Sequence, residues 1–62
     1  METKYIVIID IWNNIYDDTY DFEYSGVLHD TKKEAEEELK LAKLETANDI
    51  SIESIYIREL EV

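Results

Sequence analysis

Thr3 to Trp12 reads TKYIVIIDIW, and this stretch decides the fold. β-Branched and aromatic residues crowd it, and neither glycine nor proline interrupts it. That is the composition of a strand apolar on both faces, which belongs in the middle of a sheet. Strand alternation puts Tyr5, Val7, Ile9 and Ile11 on one side and Ile6, Ile8 and Trp12 on the other.

Beyond Trp12, Asn13-Asn14 and Asp17-Asp18 flank Ile15 and Tyr16. Asn and Asp tolerate left-handed backbone and bond their own main chain, so this segment predicts a hairpin loop. From Thr19 to Ser25 the pattern alternates, with Tyr20, Phe22 and Tyr24 on one side and Thr19, Asp21, Glu23 and Ser25 on the other. A half-buried strand with one wet face is expected. Gly26 to Asp30 breaks the pattern, and Thr31 with Glu34 forms a capping-box pair, so a helix should start at Lys32 and run to about Ala47, ahead of the turn signal Asn48-Asp49. Ala35, Leu39 and Ala42 form its inward stripe, while Leu41 and Leu44 fall outside it. A third strand is expected from about Ser54 to Glu61, with Ile55 and Ile57 on one face and Tyr56, Leu60 and Val62 on the other. The residues leave open which set meets the helix.

A tight hairpin makes the first two strands antiparallel. A helical crossover then returns the chain antiparallel to the first strand on its free side, giving the order 2-1-3. The expectation is an α+β fold, β-β-α-β, with a three-stranded antiparallel sheet and one helix on one face. A single helix leaves the other apolar side of the first strand without a cover. A homodimer is therefore expected, with Tyr20, Phe22, Tyr24, Leu41 and Leu44 as candidate interface residues.

Size supports the same reading. Residues 1–62 make one domain, and a chain this short hides only about 60% of its unfolded surface. With no cysteine and one histidine, neither disulfide nor structural zinc can staple it. The 45% apolar content, with seven aromatics, is too rich for a disordered acidic tail. The charge of −10 repels nucleic acid and anionic membranes, so direct contact with either is not expected. No apolar run is long enough to span a bilayer, and the N-terminus lacks a signal-peptide pattern, so a cytoplasmic location is expected.

Candidate chemistry is sparse. His29 has no serine or cysteine arrangement around it that suggests a triad, and the single glycine, Gly26, rules out a glycine-rich phosphate loop. Asp17, Asp18 and Asp21 gather near the hairpin without the spacing of a calcium loop. No cofactor, metal or catalytic residue is expected, and the chain reads as a binder rather than an enzyme.

The distribution of acids is more informative. Ten acids and two lysines lie between Asp10 and Glu38, a local balance of minus eight. Asp21 and Glu23 should project from one strand face roughly 6.5 to 7 Å apart, a spacing similar in scale to successive phosphates, and Glu59 and Glu61 repeat it. So much like charge weakens a small fold, which favours a use for it over mere solubility. Trp12, Tyr16, Asp17, Asp18, Asp21 and Glu23 are the candidate partner-binding residues, the aromatics as anchors and the acids as electrostatic contacts.

The size, the acidity, the β-β-α-β order and the stretch Asp30-Thr31-Lys32-Lys33-Glu34-Ala35-Glu36-Glu37-Glu38-Leu39 resemble small acidic proteins of bacteriophages and mobile elements. Some of those are DNA mimics, anti-CRISPR or anti-restriction proteins. The resemblance implies an inhibitor that docks on a basic, nucleic-acid-binding surface of a host protein. The alternative is a structural or assembly module that works through homodimerisation, with acidity serving solubility.

Overall fold

The computed structural model describes residues 1–13 and 15–62. The elements are β1 (Thr3–Asn13), β2 (Asp18–Glu23), α1 (Lys32–Glu45) and β3 (Ile52–Glu61). Among the described residues the sheet is three-stranded and antiparallel, in the order β2-β1-β3. The fold is thus the expected α+β arrangement, with the most apolar strand at the centre. No helix among the described residues is long and apolar enough to cross a membrane.

Local signals explain the boundaries. At the hairpin, Asn13 Oδ1 accepts the Ile15 N–H at 2.9 Å and Asp17 adopts φ 54°, so the Asn and Asp residues do the turning. Asn14, the other asparagine of that signal, lies outside the described residues. Thr31 caps α1 by accepting the Glu34 N–H at 3.2 Å. The return bond from Thr31 N–H to the Glu34 side chain is not among the described hydrogen bonds, so half of the box forms. α1 stops at Glu45, earlier than the expected Ala47, because Thr46 turns back and donates both its N–H and its hydroxyl to the Ala42 carbonyl, at 3.0 and 2.7 Å.

β2 ends at Glu23, before the expected Ser25, yet pairing with β1 goes on: Tyr24 N–H donates to Val7 O at 3.0 Å. The chain then loops out through Gly26, at φ 77°, and returns so that His29 and Tyr5 exchange both backbone bonds. From Tyr5 onward β1 therefore has a partner on this side. β3 begins two residues earlier than expected, at Ile52, across a register shift opposite Asp10 and Ile11.

The register assigns the faces. Val7 pairs with Ile57 and Ile9 with Ile55, and Lys32 lies in one depression with Tyr5, Ile57 and Glu59, so the odd-numbered β1 residues and Ile55 and Ile57 meet α1. Ala35 and Ala42 are fully buried there, small enough to bring the helix close to the sheet.

Two expectations fail in an instructive way. β2 is exposed along all six residues rather than half-buried. A helix is about 10 Å across and strands are about 4.8 Å apart, so one helix covers two strands. α1 packs on β1 and β3, and β2 is left uncovered. Conversely, the side of β1 away from the helix is not left bare: Ile6 and Ile8 are each only 3% exposed. On that side Ile8 pairs with Tyr56 and Ile6 with Arg58. Arg58 Nη2 donates to Asp21 Oδ2 at 2.8 Å and to the Tyr56 hydroxyl at 2.8 Å, and Tyr56 donates to the same carboxylate oxygen at 3.1 Å. This bridge runs from β3 to β2 over β1, and the aliphatic stem of Arg58 and the ring of Tyr56 replace the missing helix. Over Ile6 and Ile8 the chain thus seals the side of β1 away from the helix itself, while Trp12 farther along stays exposed.

Candidate functional site

The candidate partner-binding residues all lie on the β1–β2 hairpin, in two settings. Asp17, in the left-handed turn, and Tyr16, 77% exposed, form the tip with Ile15, which the sequence reading passed over although it is 85% exposed. Asp18 is exposed and its carboxylate accepts the Thr19 N–H at 2.7 Å, which fixes the entry to β2. Trp12 pairs with Thr19 and Asp10 with Asp21, so Trp12, Asp21 and Glu23 share the face that lacks the helix. Trp12 is partly exposed there.

The acids of that face are not equivalent. Asp21 is held by Arg58 and Tyr56, and the guanidinium is in turn held more firmly protonated by the carboxylate. Asp10 stands directly across the ladder from Asp21, a like-charge pairing that costs stability. One Asp10 oxygen accepts from Ser54 Oγ at 3.1 Å, while Oδ1 is buried with no partner among the described residues. Arg58 offsets this repulsion, and neither it nor Tyr56 was singled out from sequence. Only the register of β3, which residue spacing does not fix, brings Arg58 to the face of Asp21.

Asp21 and Glu23 share one side with Arg58, whereas Glu59 lines the depression beside Lys32, and Glu61 accepts the Thr3 hydroxyl at 3.1 Å. The second pair of acids is therefore on the helix side. The two pairs do not combine into a single phosphate-like array, because they lie on opposite faces of the sheet.

The candidate interface residues divide as well. Tyr20, Phe22 and Tyr24 share the helix side of β2 and its extension. Tyr20 and Phe22 meet edge to face with ring centres 5.2 Å apart and are 44% and 48% exposed. Tyr24 reaches the helix, its hydroxyl donating to Glu45, and that bond holds the phenol above its ordinary pKa. On a helix turning about 100° per residue, Leu41 lies on the same flank as Glu38 and Glu45, which contact Ser25, His29 and Tyr24. Leu41, 59% exposed, thus lies on the flank of α1 that faces the β2 side of the sheet. Leu44, 74% exposed, points directly away from the sheet and does not join them.

On the same flank His29 Nε2 lies 3.3 Å from Glu38 Oε1, and among the described residues neither atom has a hydrogen-bond partner. This proximity, together with the Ser25 hydroxyl donating to Glu38 Oε2 at 2.8 Å, holds the returning loop beside α1. Lys4 does the same for the helix entrance: it bonds Asp30 and lies 3.4 Å from Glu2, so Asp30 is held below the ordinary carboxylate range and Lys4 above the ordinary lysine value. Among the described residues, no group of three or more histidine, aspartate or glutamate side chains is arranged to hold a metal ion.

No family model, curated protein or solved structure matches this chain. Functional inference therefore rests on the surface itself. Its strongest feature is β2, exposed on both faces, in a stretch without a lysine or arginine from Tyr5 to Thr31.

Proposed function

We propose that this protein is a non-catalytic acidic module that docks through its β1–β2 hairpin on a basic, normally nucleic-acid-binding, surface of another protein, as a phage-type inhibitor does. The observation that carries this reading is the exposed hairpin. Asp17, Asp18, Asp21 and Glu23 stand in solvent beside Trp12 and Tyr16, and Arg58 is the one base that reaches them among the described residues. Acids set around aromatic anchors favour recognition of a basic partner, with the charges steering encounter and the rings supplying the contact area. The partner class is a nucleic-acid-binding enzyme.

Immobilised protein exposed to a lysate at low salt, then washed with a salt gradient and separately with duplex DNA, tests this. Nucleic-acid-binding proteins should elute with rising salt and be displaced by the DNA. Retention at high salt with no displacement by DNA would count against the reading.

The exposed Tyr20–Phe22 pair and Leu41 favour a second reading, an assembly module acting through these side chains. Under that reading alanine at Phe22 or Leu41 abolishes association, while Asp17→Asn and Glu23→Gln leave it unchanged.

A further inference from the structure

We infer that the free edge of β2 takes up an extended segment of the partner protein as a fourth strand, one that alternates basic and apolar side chains. This rests on the docking reading above and specifies its geometry.

Backbone alternation comes first. Tyr24 N–H donates to Val7 O, so Tyr24 belongs to a hydrogen-bonded pair of the β1–β2 ladder. Such pairs recur at every second residue of an antiparallel ladder. Phe22 and Tyr20 therefore turn their backbone groups toward β1 as well, and Thr19, Asp21 and Glu23 turn theirs outward. None of these three makes an outward backbone bond among the described residues. The N–H groups of Asp21 and Glu23 and the C=O groups of all three stand along one edge, the Thr19 N–H being taken by Asp18 Oδ1 at 2.7 Å, and such a row is the arrangement used when a peptide is added to a sheet.

The two edges of the sheet are protected unequally. β3 carries a register shift, half of its residues are partly covered, and α1 packs on it. β2 has no bulge, no proline and no lysine, and it is uncovered throughout.

Charge then selects the occupant. A strand laid beside β2 places every second side chain next to Asp21 and Glu23 and the intervening ones next to Tyr20 and Phe22. Directly opposed like charges destabilise a ladder, and opposite charges or aromatic and β-branched neighbours stabilise it. A second copy pairing β2 with β2 would bring two sets of Asp18, Asp21 and Glu23 together, so self-pairing is disfavoured. Lysine or arginine beside the acids and valine or tyrosine beside the aromatics fit the edge.

The test uses the full chain and two synthetic peptides of alternating charged and apolar residues, one with arginine and valine, the other with glutamate in place of arginine. Binding is followed by fluorescence anisotropy, and amide hydrogen exchange is read residue by residue by NMR. The arginine peptide should bind at low salt, weaken as salt rises, and slow exchange at the Asp21 and Glu23 amides while leaving Tyr20 and Phe22 unchanged. Glu23→Lys, which breaks no described bond, should lower affinity for the arginine peptide at least tenfold and raise it for the glutamate peptide. Binding without slowed exchange at those two amides overturns the edge inference but leaves electrostatic docking standing. Absence of any binding by the arginine peptide at low salt also overturns the edge inference, and the salt and DNA elution decides docking separately. Protection of the same amides in the chain alone, growing with its concentration, would show a second copy on the edge and overturn it too.

Discussion

Shortening Ile8 to valine tests whether the side of β1 away from the helix is sealed by the chain itself. Ile8 is 3% exposed, and the Arg58–Tyr56–Asp21 bridge crosses above it. Removing one buried methylene costs about 0.5 to 1.5 kcal/mol when the surroundings cannot collapse into the space. A domain of 62 residues has a total stability of roughly 3 to 9 kcal/mol, so even this small change is a sizeable fraction. With a urea m-value of about 1 kcal/mol/M for so small a protein, the midpoint should fall by about 0.5 to 1.5 M. Ile8→Ala would cost about 2 to 5 kcal/mol and is expected to leave little folded protein, which is why valine is the informative variant. The assay is urea unfolding followed by far-UV circular dichroism, repeated over about a hundredfold range of protein concentration, because a dimer-sealed face would give a midpoint that rises with concentration. Leu44→Ala is the control: at 74% exposed it should change stability by no more than about 0.5 kcal/mol. A shift for Ile8→Val no larger than that of the control, or a wild-type midpoint that climbs with concentration, would refute the self-sealed face.

Thr31→Ala removes the cap that accepts the Glu34 N–H and should cost about 1 kcal/mol in the same urea assay, with Thr31→Ser restoring most of it. Asp30→Asn should destabilise the protein at neutral pH, and the difference from wild type should vanish in acid. Asp30 is held below its ordinary pKa by Lys4, so its contribution is present above the unfolded carboxylate range and lost as pH falls through its lower folded value. Lys4 is raised by the same bond, so the contribution is also lost as pH climbs through the raised lysine value. A difference between wild type and Asp30→Asn that persists well below pH of about 3 would contradict this pairing.

The fold was legible because several local signals agreed. The doubly apolar run of β1, the Asn and Asp hairpin, the Thr31 cap and the Ala35 and Ala42 stripe each pointed to the same arrangement, and all four are found. What escaped was lateral placement. Nothing in the spacing of the helix says which two strands it will straddle, so the exposure of Tyr20 and Phe22 was not visible from their alternation. The lid over Ile6 and Ile8 depends on the register of β3, and a shift of one residue would have put Arg58 on the helix side. The candidate hairpin residues were legible individually. That Asp21 is held by Arg58 while Glu23 makes no described bond is a long-range fact, set by two strands far apart in sequence.

Asking which acids the fold itself uses separates a solubility role for the charge from a binding role. Glu38, Glu45, Asp30, Asp49 and Glu61 each accept from or pair with a neighbouring side chain, so their charge has a structural reason within the chain. Glu34, Glu36 and Glu37 lie on the outer part of α1, where Lys32, Lys33, Lys40 and Lys43 temper them along the same helix. Asp17 and Glu23 have neither kind of compensation, since the hairpin carries no base of its own and Arg58 is spent on Asp21. Uncompensated charge on an uncovered edge strand next to exposed aromatics costs stability and discourages self-pairing at once. Solubility alone would be served as well by acids on the helix. Their position on β2 and its turn is explained when the edge must stay open for a chain of opposite sign.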